Sequence, residues 1–98
     1  MRRQNKEAFD LYLSAVSEKM GITKSLILSK NLDRDVTAAR HMLWKLCKNR
    51  PMRVATIQKF MLEYGHKVSH TAIINAIRRM EKKFVDDVNY EVMFESLQ

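Results

Sequence analysis

Glycine, proline and cysteine are scarce in this chain, which contains two, one and one of them in 98 residues. So few glycines and prolines exclude a turn-rich β fold and favour an all-α fold. The single cysteine, Cys47, excludes an intramolecular disulfide and suits a reducing cytoplasm. No apolar run is long enough to span a bilayer and no signal-peptide core follows the basic start. We therefore predict a cytoplasmic protein without a membrane partner.

The length of the chain predicts one domain over 1–98 with a modest core and little room for a catalytic cleft. Cys47 lies on an apolar stripe without an ordered His and Asp partner, so it is read as a buried thiol. His41, His66 and His70 lack the spacing and thiolate neighbours of a zinc site. We expect no enzyme activity, no metal and no cofactor.

Charge is the strongest signal in the sequence, with a net charge of +7 and a pI of about 9.8. Such a surface attracts polyanions, and nucleic acid is the first candidate. The charge is uneven, since residues 36–62 contain six basic residues and no acidic one. After Lys83 the only charged residues are Asp86, Asp87, Glu91 and Glu95. This separation predicts one binding face on a nucleoid-associated protein.

Apolar residues recur at three- and four-residue spacing, which predicts five to six short helices. The first covers 5–20 and is closed by Gly21, and Thr23 can cap a short second helix. Asp33 can cap a third helix over Arg34–Asn49. The inward residues predicted for the first and third helices are Ala8, Leu11, Tyr12, Ala15, Val16, Met20, Val36, Ala39, Leu43, Leu46 and Cys47.

A fourth helix over 54–64 is predicted to end at a left-handed Gly65, and Ser69 can cap the fifth. A last helix over 90–97 is expected to pack on the core. The inward residues predicted for these helices are Val54, Ile57, Phe60 or Met61, Tyr64, Ile73, Ala76, Ile77, Met80, Phe84, Val92 or Met93, Phe94 and Leu97. The fourth and fifth helices, at about 54–84, have the form of a helix-turn-helix. The outer face of the fifth helix is polar and basic.

At these residues the sequence resembles the C-terminal DNA-binding domain of the bacterial replication initiator DnaA. The stretch "SHTAIINAIRRM" is similar to that family's Asp-His-Thr-Thr opening of its recognition helix. The stretch "LILSKNLDRDVTAARHML" is similar to the family's Leu-Leu-Ser-Lys run, basic loop and following helix start. The resemblance covers about residues 9–97 and implies the all-α, helix-turn-helix fold of the TrpR and DnaA C-terminal type.

The resemblance also implies roles for individual residues, which we combine with the outer face of the fifth helix. His70 and Thr71 stand where the family reads bases in the major groove, and imidazole and hydroxyl groups suit that role. Arg34 stands in the loop that sends an arginine into the minor groove. The full set of base-reading candidates is Ser69, His70, Thr71 and Asn75, and the phosphate-contacting candidates are Lys30, Arg40, Lys67, Arg78 and Arg79.

The sequence departs from the family at several positions. Ser69 replaces an aspartate and Ala72 replaces a threonine, and nothing resembles the phosphate-binding loop of the family's ATPase module. We therefore predict a monomer or weak dimer that binds double-stranded DNA without ATPase activity. The alternatives are a module docking its basic face on an acidic replication protein, and single-strand or RNA binding, which the few exposed aromatics disfavour. Trp44, beside Arg40, is predicted to pack at the rim of the core or to make a phosphate-side or partner contact.

Overall fold

The computed structural model describes the backbone of residues 2–98 and the side chains of residues 5–98. That part of the chain forms six helices and no strand, so the predicted all-α class is confirmed. The helices are α1 (Arg2–Met20), α2 (Lys24–Ile27), α3 (Arg34–Asn49), α4 (Val54–Glu63), α5 (His70–Asp86) and α6 (Val88–Leu97).

Local capping signals set most of these boundaries. The side chain of Thr23 accepts from the Leu26 amide, that of Asp33 from Asp35, and that of Ser69 from Ala72. Each cap satisfies a backbone donor that the first helical turn leaves without a partner. Gly21 and Gly65 have φ of 67° and 85°, the left-handed conformation expected after α1 and α4. The caps predicted from sequence are therefore confirmed.

α3 is the central helix of the fold, and the other five helices all pack against it. One cluster of buried apolar side chains draws on every helix, including Phe9, Ile27, Leu43, Phe60 and Phe94. The stripe predicted for α3 is fully buried, and four of the five residues predicted for α5 are buried while Phe84 is partly so. This core fixes the two helices that carry most of the candidate site.

Two predicted inward positions, Leu11 and Tyr64, are wrong, and one predicted pair of alternatives is decided. Leu11 is 67% exposed because α1 turns Phe9 and Leu13 to the core instead. Tyr64 is 42% exposed at the end of α4, where its hydroxyl donates to Asp10 Oδ1 at 2.6 Å. Val92 is also exposed, and the alternative Met93 packs against the core. None of the helices in the described residues is long and apolar enough to cross a membrane.

Candidate nucleic-acid interface

The first turns of α5 present polar side chains to solvent. The Ser69 hydroxyl accepts the Ala72 amide at 3.0 Å, which starts the helix and leaves His70 and Thr71 exposed on its first turn. Asn75 is exposed one turn further on, because Ile73, Ala76, Ile77 and Met80 occupy the buried face. The four predicted base-reading residues therefore lie together on accessible surface, with the oxygen of Ser69 already used as a cap.

Four cations around this surface, Lys30, Lys67, Arg78 and Arg79, have no partner among the described residues. Within the described residues, no ion pair or side-chain hydrogen bond engages Lys30, Lys67, Arg78 or Arg79, and all four are exposed. Four flexible cationic side chains without carboxylate partners are free to bind an external anion. The phosphate-contacting predictions for these four residues are thus compatible with their placement.

The loop between α2 and α3 is held by its own hydrogen bonds. Ser29 Oγ donates to Leu26 O at 2.7 Å and accepts the Asn31 amide at 3.1 Å. Asn31 Oδ1 in turn accepts the Asp33 amide at 2.8 Å. Such side-chain to backbone bonds replace a regular ladder in short connections. They fix the loop that carries Lys30 and leads into Arg34, which is exposed at the first residue of α3.

Arg40 requires a correction, because only 4% of its surface is accessible. Its Nε donates to Ile27 O at 2.8 Å, and its Nη2 donates to Leu26 O at 3.2 Å and to Asn31 O at 3.0 Å. The guanidinium therefore ties the end of α2 and the following loop to α3. Spacing explains this placement, since Arg40 lies between Val36 and Leu43 on the buried stripe of the helix. We assign Arg40 to the fold and leave it out of the direct phosphate contacts.

A groove of about 480 Å³ opens between this loop and α5, and we call it the basic groove. One wall comes from the loop and α3 and contains Lys30, Leu32, Thr37, His41 and Trp44, with Arg40 at its base.

The opposite wall of the basic groove comes from the loop after α4 and from α5. It contains His66, Lys67, Ala72, Asn75 and Arg79. No Asp or Glu of the described residues lines either wall. The basic groove therefore unites three predicted phosphate-contacting residues, Lys30, Lys67 and Arg79, with the predicted base reader Asn75. Arg34, His70, Thr71 and Arg78 lie outside its walls.

The positive field of the groove acts on its two histidines. Burial, followed by the charges of Arg40, Arg79 and Lys83, lowers the pKa of His41 to about 4. Burial, followed by Arg40 and Lys30, also lowers the pKa of His66, partly offset by a hydrogen bond to the backbone of Leu28. Both rings are therefore neutral near pH 7. The groove owes its charge at that pH to lysine and arginine alone.

Sequence reasoning missed Thr37 and His66 as groove residues. Thr37, His41 and Trp44 recur at four- and three-residue spacing, which places them along one face of α3. That face was not recognised because the apolar stripe dominates the helix. Trp44 is 3% exposed and stacks on His41 at a ring-centroid distance of 5.7 Å. The structure therefore supports packing, which is the first of the two roles predicted for Trp44.

Metal-ligating and thiol side chains are the other candidates that the sequence raises, and the structure shows how they are placed. In the described residues no group of three or more His, Cys, Asp and Glu side chains could hold a metal ion. Cys47 is buried, and this burial raises the pKa of its thiol to about 12, which keeps it protonated.

A comparison with protein-family models, curated proteins and solved structures finds no match to this chain. The resemblance to the DnaA domain stays a prediction from the quoted motifs.

Proposed function

We propose that this protein binds double-stranded DNA, with α4 and α5 acting as a helix-turn-helix and α5 entering the major groove. The observation that carries the proposal is the meeting of exposed polar residues on the first turns of α5 with unpaired cations along the basic groove. A recognition helix needs base-edge donors and acceptors at its start and phosphate contacts beside it. The walls of the basic groove supply the second of these requirements.

Residue roles follow from this arrangement. His70, Thr71 and Asn75 read base edges, with the Thr71 methyl available to a thymine methyl and the His70 ring to a hydrogen-bonding edge. Lys30, Lys67, Arg78 and Arg79 contact phosphates, whereas Arg34 reaches toward the neighbouring minor groove. Ser69 sets the start of the helix through its cap. By its resemblance to the DnaA domain, we place this activity in replication initiation or its regulation.

The proposal predicts a steep dependence of binding on salt. About four to six phosphate contacts give a log–log slope of roughly −4 to −5 for affinity against salt concentration. The measurement is a titration of labelled duplexes at several salt concentrations, on sites first selected from random sequence. An absence of duplex binding even at low salt would contradict the proposal and favour an acidic protein as the partner of the basic face.

Matched variants separate base reading from backbone contact. We expect His70→Ala or Thr71→Ala to cost about 1 to 3 kcal/mol on the selected site and little on random duplex. Lys67→Ala should weaken both alike and reduce the salt slope by about 1. Asn89→Ala, on exposed surface of α6, serves as the control. Equal losses on selected and random duplexes for the His70 and Thr71 variants would remove these residues from base reading.

A further inference from the structure

Three buried polar atoms in the described residues have no hydrogen-bond partner. They are Thr37 Oγ1, Trp44 Nε1 and His66 Nδ1. Their residues belong to α3 and to the loop after α4, which are distant in sequence, yet all three line the basic groove. Folded proteins leave few buried polar groups unsatisfied, and each one is costly. Their concentration in one groove indicates that a ligand satisfies them.

The chemistry of these atoms selects the kind of ligand. An indole N–H only donates, and a threonine hydroxyl has a proton to donate, so both suit a group that only accepts. The walls add Lys30, Lys67 and Arg79 and no carboxylate from the described residues. A ligand with several acceptor oxygens and negative charge meets both conditions. Phosphate has this combination, whereas a neutral or cationic ligand does not.

The geometry of α3 allows Thr37 and Trp44 to act together. The two residues are seven positions apart and therefore lie on one face of the helix, two turns from each other. Long helical side chains lean toward the N-terminus of their helix, so the indole extends from Trp44 back toward Thr37. The stacking of the Trp44 ring on His41, which lies between them in sequence, agrees with this direction.

We propose that the basic groove seats one phosphate group on two neutral donors, the Trp44 indole N–H and the Thr37 hydroxyl, with Lys30, Lys67 and Arg79 neutralising its charge. This inference rests on the proposed function, because it takes the phosphate from the backbone of the bound duplex. His66 Nδ1 accepts from a water that also donates to the phosphate. All three atoms are covered in the free protein, so the side chains that cover them move when the phosphate enters.

The decisive variant is Trp44→Phe, which keeps an aromatic ring but removes the N–H together with the five-membered part of the indole. A hydrogen bond to a charged group is worth enough for its loss to lower duplex affinity about tenfold. The salt slope should not change, since no charge is removed. The smaller ring also leaves a space in the core, so the thermal midpoint should fall, and duplex affinity is measured at a temperature where the variant stays folded. A purely structural role of Trp44 would lower the midpoint in the same way but leave the duplex affinity of the folded variant unchanged.

Two further variants complete the set. Thr37→Val replaces the hydroxyl with a methyl of similar size and should lower duplex affinity about threefold to tenfold, again at constant salt slope. Tyr12→Phe on α1 removes a hydroxyl from an aromatic residue outside the basic groove and is the matched control. It should leave duplex affinity unchanged.

Fluorescence gives an independent measurement, because Trp44 is the one tryptophan of the chain. Its emission should change when duplex is added to the wild-type protein. Inorganic phosphate in a parallel titration distinguishes a free anion from the DNA backbone. If phosphate shifts the emission while Trp44→Phe binds duplex as tightly as the wild type, the backbone assignment is overturned and the groove is a site for free phosphate.

Two other results would also overturn the inference, and they differ in what they say about the proposed function. Normal duplex binding by Trp44→Phe, with no emission change from duplex or phosphate, means that only a buried water satisfies the three atoms. In that case the proposed DNA binding still stands. If the wild-type protein binds no duplex at all, both the proposed function and the backbone phosphate fall together.

Discussion

The cations at the two ends of α5 are arranged in opposite ways. Along the basic groove, Lys30, Lys67 and Arg79 have no ion-pair or side-chain hydrogen-bond partner among the described residues. Near the end of α5, Lys45 pairs with Glu81 at 3.7 Å and lies over the Phe94 ring at 5.8 Å, and Lys83 lies over Tyr90 at 5.0 Å. The fold thus engages Lys45 and Lys83 at the α5–α6 end, whereas Lys30, Lys67 and Arg79 at the groove have no such contact among the described residues.

The hydrogen bonding of polar atoms differs between the two regions in the same way. At the α5–α6 end, Asp87 closes α5 with its backbone N–H and opens α6 by accepting the Asn89 amide at 2.9 Å. All three unsatisfied buried atoms in the described residues lie instead at the basic groove. A region optimised for the fold alone would satisfy such atoms internally. This contrast supports the proposal that a ligand completes the chemistry of the groove.

The largest test of this contrast concerns Arg40, the one groove cation that serves the fold. Arg40→Met should remove three hydrogen bonds, leave the carbonyls of Ile27 and Asn31 without their donor, and cost about 3 kcal/mol or more. This corresponds to a drop of at least about 12 °C in the thermal midpoint of a domain of this size. Lys45→Met, at the other end of α5, should cost only about 0 to 1 kcal/mol, because its ion pair is partly exposed.

Thermal unfolding of both variants by circular dichroism is the measurement for this prediction. Similar midpoints for Arg40→Met and Lys45→Met would contradict the structural role given to Arg40. In that case we would measure duplex binding at a temperature where Arg40→Met stays folded. This assay tests whether Arg40 contacts phosphate directly.

Arg40 also illustrates which features the sequence alone could predict. Caps and left-handed glycines are local, so Asp33, Ser69, Gly21 and Gly65 could be read from a few neighbouring residues. The burial of Arg40 depends on carbonyls 9 to 14 residues away. The position of Arg40 on the apolar stripe between Val36 and Leu43 indicates that its side chain is buried. The basic residues around it instead favour an exposed side chain that contacts phosphate.

The sequence also predicts only part of the candidate site, namely the exposed face of α5 and not the basic groove. The exposed face of α5 follows from its 3.6-residue period, and His70, Thr71 and Asn75 lie where that period puts them. Leu11 was predicted wrongly because α1 packs against four other helices, so a single stripe is a poor guide to its buried face. The basic groove forms between segments that are remote in sequence, and no periodic pattern could show that Thr37, Trp44 and His66 share it.

The second test concerns the protonation of His41, which burial and the nearby cations oppose. The pKa of His41 is about 4 in the folded protein and rises to its usual 6.5 on unfolding, so the unfolded chain binds a proton first as the pH falls. The neutral ring therefore contributes stability that is complete above about pH 6.5 and lost as the pH falls to about 4. We expect a loss of roughly 1 to 2 kcal/mol, below the full linkage value because the ring is partly exposed.

The matched variant is His41→Phe, which can keep the ring contact with Trp44 and cannot be protonated. Its stability should fall less steeply than that of the wild type between these pH values. Urea unfolding at several pH values measures the difference. Parallel curves for the two proteins would show that the groove cations and burial do not hold His41 neutral, and the contrast with the α5–α6 end would be weaker.

The smallest expected effect concerns Arg34, which stands at the edge of the groove region. Asp33 and Asp35 flank it, so the local charge pattern alone allows an intramolecular pair. The Asp33 carboxylate is instead used as the cap of α3, accepting the Asp35 amide at 3.0 Å. No ion pair or side-chain hydrogen bond engages Arg34 within the described residues. Its guanidinium is therefore free to project from the first turn of α3.

A narrow A/T-rich minor groove has an enhanced negative potential that attracts arginine. We expect Arg34→Ala to reduce the preference for A/T over G/C flanks about threefold, a small effect that leaves the thermal midpoint unchanged because the side chain is exposed and unpaired. Lys48→Ala, at the opposite end of the same helix, removes an equal charge and should leave the flank preference intact. Binding of both variants to duplexes that differ only in their flanks separates a minor-groove contact from a general loss of charge. An equal change in both variants would mean that Arg34 contributes only to the net charge, and a lowered midpoint for Arg34→Ala would assign the residue to the fold.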